Sequence, residues 1–183
     1  MTGEAPRALG AVVLAAFLAR VAACAFLPAP PAEHRGLPNP DNYVRLGLSL
    51  AERGSLLEPD GSWSAEREPL YPAFLAGVLS VSRSARAIQV AQCAVGALSV
   101  WLFFFLARRL LDERGALLAA ALFALHPQYL FYAATPMRET FQAALLLLGF
   151  LALSRAAAAP SAGAYALAGA AGALAPLTNS AFL

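Results

Sequence analysis

Residues 85–111 read ARAIQVAQCAVGALSVWLFFFLARRLL, and this run decides the fold class. A helix needs about 20 mostly apolar residues to cross the hydrocarbon core of a bilayer. The run exceeds that length, carries an aromatic block at Trp101-Leu102-Phe103-Phe104-Phe105, and closes on Arg108 and Arg109. The whole chain has the same character. It is 60% hydrophobic and 13% charged, with a mean hydropathy of +0.62. Soluble domains are about 45–50% apolar and about 25% charged. The sequence therefore predicts an all-α, polytopic transmembrane helix bundle.

Further apolar runs lie on either side. Residues 8–27 form a first span with one internal charge, Arg20. Residues 115–134 form a third, in which Pro127 kinks the helix or ends its first half. Residues 137–153 form a fourth and 164–183 a fifth. The stretch 70–82 is apolar but too short to cross, so it reads as a helix in the interface or a re-entrant one. Arg108, Arg109 and Arg114 crowd the turn between spans two and three, Arg155 follows span four and Arg7 precedes span one. By the positive-inside rule these places, and the N-terminus, are cytoplasmic. A spanning 70–82 would reverse everything after it.

Several function classes drop out. A net charge of +2 does not suggest a nucleic-acid partner. Cys24 and Cys93 both sit in apolar stretches, so neither a disulfide framework nor a metal cluster is visible. His34 and His126 are far apart and have no ligand-spaced partner, so no metal residues are assigned. His126, before Pro127, reads as a packed polar residue within span three. Val21-Ala22-Ala23-Cys24 looks like a lipoprotein processing site, but Arg20 immediately before it and the polytopic remainder argue against processing.

The polar stretch 28–68 is the first loop. Pro28-Ala29-Pro30-Pro31 breaks the preceding helix. Asn39-Pro40 then predicts a helix start, with Asn as N-cap and Pro in the first turn, and Gly54 predicts its stop. Between them Asp41, Arg45, Ser49 and Glu52 share one face, while Tyr43, Val44, Leu46, Leu48 and Leu50 supply the apolar side. That is an amphipathic helix suited to a membrane surface.

Candidate residues cluster near this loop. Asp41 is either a general base or a first-turn acid paired with Arg45 at i,i+4. Arg67 and Tyr71 flank Pro69, where the chain returns to the membrane. They read either as a phosphate-binding pair or as interfacial anchors. Arg20 must pair, line a wet cavity or snorkel outward, because a mid-bilayer Arg costs about 2.5–3.5 kcal/mol on insertion scales; a place near a lipid phosphate fits. Thr135 and Pro136 predict the cap and first turn of span four. That puts Arg138 and Glu139 on the same side as Asp41, where they could converge with it or serve only as anchor and cap.

The order of these pieces resembles a known family. An Arg toward the end of span one, Asp41-Asn42-Tyr43 some twenty residues on, and then Arg67-Glu68-Pro69-Leu70-Tyr71-Pro72-Ala73-Phe74-Leu75-Ala76 resemble the polytopic glycosyltransferases that use lipid-phosphate sugars. These include the protein O-mannosyltransferases and the aminoarabinose transferases. Ala107-Arg108-Arg109-Leu110 before Gly115-Ala116-Leu117-Leu118, Pro127 before Arg138-Glu139-Thr140, and residues 170–178 extend the likeness over nearly the whole chain. The resemblance implies one membrane glycosyltransferase domain over 1–183, of which this chain is an N-terminal portion. It implies Asp41 and Glu139 as catalytic acids, and Arg20, Tyr43, Arg67, Tyr71 and Arg138 as substrate-binding residues. The donor would be a polyprenyl- or dolichyl-phosphate sugar and the acceptor a lipid, glycan or protein, with inversion at the anomeric carbon. No cofactor is assigned, although two acids leave a divalent metal open. Absence of Lys and abundant Ala suggest a GC-rich genome. The expected location is a bacterial inner membrane, with the N-terminus cytoplasmic. The competing class is a non-catalytic membrane protein, part of a transporter or an assembly. Mid-span charge nearly confined to Arg20 favours the enzyme.

Overall fold

The computed structural model describes residues 5–27 and 31–179. The Pro28–Pro30 part of the expected break and the last residues of the expected fifth span, 180–183, lie outside them. Eight α-helices run in the order α1 (Ala5–Phe26), α2 (Tyr43–Arg53), α3 (Leu70–Val81), α4 (Ala85–Ala107), α5 (Glu113–Ala124), α6 (Pro127–Ala134), α7 (Glu139–Ala158) and α8 (Ala162–Ala173). Among the described residues, strand is confined to a hairpin of β1 (Ala32–His34) and β2 (Leu37–Pro38) and a single bridge, Leu57 to Trp63. The hairpin was not foreseen. Its only signal is Gly36, which with Arg35 takes the positive φ that a tight hairpin turn needs.

Among the described residues, three helices are long and apolar enough to cross a membrane: α1, α4 and α7. The α5–α6 pair makes a fourth crossing if its two halves, bent by 49°, form one span. The bend falls at Leu125-His126, with Pro127 at the first position of α6. His126 is not packed inside a span; it sits exposed at the break, its ring against Tyr129. Twelve-residue α8 packs on α7, where Gly149 lets the backbones meet at Gly172.

α4 is the central post, packed against α1, α3, α5, α6 and α7. Two apolar cores lie along it. Leu9, Ala16, Val100, Phe104, Ala116, Ala120 and Ala124 fill the end near the arginine turn. Leu37, Tyr43, Val44, Leu48, Tyr71, Leu75, Leu79 and Ile88 fill the loop end. The arginine turn is stopped cleanly, because Asp112 caps α5 by accepting from the Gly115 N–H at 2.8 Å.

α2 is amphipathic as expected, but its apolar side is packed against α3. The approach is tight: a Cβ on Gly47 would lie 2.8 Å from that of Leu75. Gly54 ends α2 in the left-handed conformation, its N–H returning to Leu50 O. The start differs from expectation. Pro40–Asn42 form a 3-10 turn, and Asp41 (φ 55°) and Asn42 (φ 64°) are left-handed, so α2 begins only at Tyr43. Asn39 still satisfies an orphan donor of that helix, since its Oδ1 accepts from the Arg45 N–H at 2.9 Å. Thr135 likewise does not cap α7. Its hydroxyl donates back to Phe131 O, a local bond that competes with capping, and α7 starts at Glu139.

Candidate functional site

The loop end of the bundle gathers the start of α2, the entry to α3 and the start of α7. Asp41 takes its place from the left-handed turn, which is tolerable for Asp and Asn but still a costly backbone state that the surroundings must hold. Arg67 holds it. Its Nε donates to the Asp41 carbonyl at 2.9 Å, and its NH2 group lies 3.3 Å from the Asp41 carboxylate. The Asp41–Arg45 pair does not form, because Arg45 turns to Glu58 at 2.8 Å and Glu66 at 3.3 Å.

Tyr43 is the hub. The guanidiniums of Arg67 and Arg138 both approach its ring, at 5.7 and 5.8 Å from the centroid, within the range of cation–π attraction. Arg138 also donates to the Tyr43 hydroxyl, and its other neighbour is Glu68, at 3.6 Å. Burial raises the Tyr43 phenol above its ordinary value, against the opposing hydrogen bond from Arg138. The phenol therefore stays protonated and keeps its O–H available to donate. Burial works to lower the Arg138 guanidinium, but the bond to Tyr43 and the charge of Glu68 outweigh it and the net direction is upward.

Glu139 adjoins this chain of contacts at the first turn of α7, and its Oε2 is buried without a hydrogen-bond partner. Arg138 Nε is buried and unpartnered in the same way. Such groups cost free energy when left unsatisfied. Among the described residues, no set of three or more His, Cys, Asp and Glu side chains is placed to hold a metal ion.

Two expected residues lie elsewhere. Arg20 is 1% exposed and turned into the bundle, donating to the carbonyls of Ala16 at 2.9 Å and Ala124 at 3.2 Å. It neither snorkels outward nor joins the other arginines: inward carbonyls take its NH1 group, which lipid could not do, while its Nε stays buried and unpartnered. Tyr71 is fully buried, with its hydroxyl donating to Gln92. Its ring meets Tyr43 edge-on at 5.0 Å, so it floors the site without facing it.

Two residues were missed. Glu68 sits inside the quoted Arg-Glu-Pro element, and an acid beside Arg67 was the available signal. Gln92 is a polar residue in the middle of an apolar span. Its Nε2 donates to the carbonyls of Tyr132 and Thr135 at 2.8 and 2.6 Å, which fixes the segment leading to Arg138 and Glu139.

The family model for dolichyl-phosphate-mannose-protein mannosyltransferases matches residues 66–181. No curated protein and no solved structure matches the chain.

Proposed function

The chain belongs to the dolichyl-phosphate-mannose-protein mannosyltransferase family, and on that premise we propose that it moves a sugar from a polyprenyl- or dolichyl-phosphate donor to an acceptor at the external face of the membrane. A mannosyltransferase-like glycosyltransferase in a membrane setting is what the family itself implies. The finer reading rests on one observation: Asp41, Arg67, Arg138 and Glu68 are linked through Tyr43 at the loop end of the bundle.

The chemistry follows from the residue types. The acceptor oxygen attacks the anomeric carbon while Asp41 takes its proton. The bond from that carbon to the phosphate oxygen breaks, and the lipid phosphate leaves with the electron pair. Arg67 and Arg138 meet the charge that develops there, and the Tyr43 hydroxyl donates to a phosphate oxygen. Glu139, in the first turn of α7, is the second acid and helps position the acceptor. The Asp41–Arg67 pair does not prevent this. A part-exposed ion pair is worth about 0.2–1 kcal/mol, so an arriving phosphate can claim Arg67 and free the carboxylate.

The test is transfer of labelled mannose from polyprenyl-phosphate mannose in membranes carrying the protein. Asp41→Asn should reduce turnover by on the order of 10²-fold or more, the scale of general-base catalysis, while donor binding persists. Asp60→Asn is the control. Asp60 only closes its own turn, accepting from the Ser62 N–H at 2.9 Å and hydroxyl at 2.7 Å. Near-normal transfer by Asp41→Asn, or equal losses in the two variants, would leave Asp41 as a turn residue and refute the proposal.

A further inference from the structure

We propose that Cys24 and Cys93 form a reversible disulfide that fastens α1 to α4 in answer to the thiol–disulfide state around the loop end of the bundle. They are the chain's two cysteines. They stand on separate long helices, 69 positions apart in sequence, with Sγ atoms 3.7 Å apart. A disulfide needs about 2.05 Å, and a rotation about a cysteine χ1 moves a sulfur far enough to close that gap.

The surroundings give access. Cys24 is half-buried and Cys93 buried, and both line an open groove of about 650 Å³. Pro38, Arg86 and Gln89 line the same groove, so it reaches the polar loop end. The difference in burial orders the chemistry. The Cys24 thiolate attacks the sulfur of a low-molecular-weight or protein disulfide, giving a mixed disulfide and releasing one thiol. Cys93 then attacks the Cys24 sulfur and displaces the second thiol. Two protons and two electrons leave the cysteines, and the external disulfide is reduced to two thiols. On the orientation argued above, the loop end faces a compartment where disulfides persist; the pairing itself does not depend on that orientation.

The bond would act near the site. Cys24 Sγ lies 3.7 Å from Ala133 O, and Gln92, beside Cys93, holds the carbonyls of Tyr132, Ala133 and Thr135. Fastening α1 to α4 at this level immobilises the frame that carries α6 into Arg138 and Glu139.

The experiment uses purified protein in detergent, where orientation plays no part. After incubation with oxidised glutathione, then N-ethylmaleimide, intact mass should show loss of two hydrogens and no alkylation, while dithiothreitol restores two alkylated thiols. Tryptic peptides 21–35 and 87–108 should appear joined, in a species that stays monomeric on a non-reducing gel. Oxidation should also raise the apparent melting temperature by several degrees, as closure of a long loop does. Cys24→Ser should show no oxidation-dependent shift. Two alkylated or two glutathione-bearing cysteines in the oxidised monomer, a linked dimer, or an unchanged melting temperature on linkage would each overturn the proposal.

Discussion

Tyr43 has two parts with separate duties. Its ring fills the loop-end core and faces Arg67 and Arg138, and its hydroxyl accepts from Arg138. Tyr43→Phe keeps the ring and removes the hydroxyl. Hydrogen bonds to charged groups contribute about 1.5–3 kcal/mol, so kcat/KM for sugar transfer should fall roughly 10- to 100-fold, and loss of the Arg138 bond should lower the melting temperature by several degrees. Tyr43→Ala should instead destabilise by about 3–5 kcal/mol, the range for truncating a buried aromatic. Equal activity in wild type and Tyr43→Phe would show that the hydroxyl does not serve the site. Arg67 and Arg138 were legible as candidates because each borders an apolar run, and Asp41 because it stands at an expected helix start in the first loop. Tyr43 entered only through the family resemblance, and its hub role was not legible, because one tyrosine on an amphipathic helix reads as apolar filling.

Among the elements, α4 shows how a charge is kept inside a bundle. Gly96 gives Arg20 its space: a Cβ there would collide with Arg20 Nε and lie 2.8 Å from Cδ. Gly96→Ala should cost about 1–3 kcal/mol by overpacking, measured as a lowered unfolding midpoint. Combining it with Arg20→Leu should recover part of that loss, since neighbouring sites are not additive. If the two losses simply add, the notch is not what accommodates Arg20. The hairpin offers a second check. Glu52 receives Arg35 at 2.9 Å and Arg83 at 2.8 Å, tying β1–β2 to α2 and to the end of α3. The Arg35 hydrogen bond, with the Arg83 and Arg53 charges, holds the Glu52 carboxyl below its usual value. Its contribution is therefore complete above the ordinary glutamate range, near pH 4.3, and is lost as pH falls through the depressed folded value. Amide exchange across 32–38, corrected for intrinsic rate, should accelerate in that acid window in wild type and show no such step in Glu52→Gln.

For the whole molecule, the orientation prediction is testable by labelling. In a Cys24→Ser/Cys93→Ser background, Ser55→Cys should react with an impermeant maleimide in intact cells, and Leu111→Cys only after permeabilisation. The reverse pattern would put the loop end in the cytoplasm and remove the external site. The sequence by itself determined the class: an all-α membrane bundle, the three long crossings, the arginine turn, the break at Pro127 and the stop at Gly54. These depend on hydrophobicity and backbone preference summed along a short stretch, and such sums do not require knowing which way a side chain points. Tertiary structure alone decided that Arg20 turns inward to Ala124 O while Arg67 and Arg138 converge on Tyr43. Tyr43 and Arg138 are 95 positions apart, and Cys24 and Cys93 are 69. Contacts at that separation are set by the rotation and packing of whole helices, so the same charged residue can be a buried strut or part of a site according to the face on which its helix comes to rest.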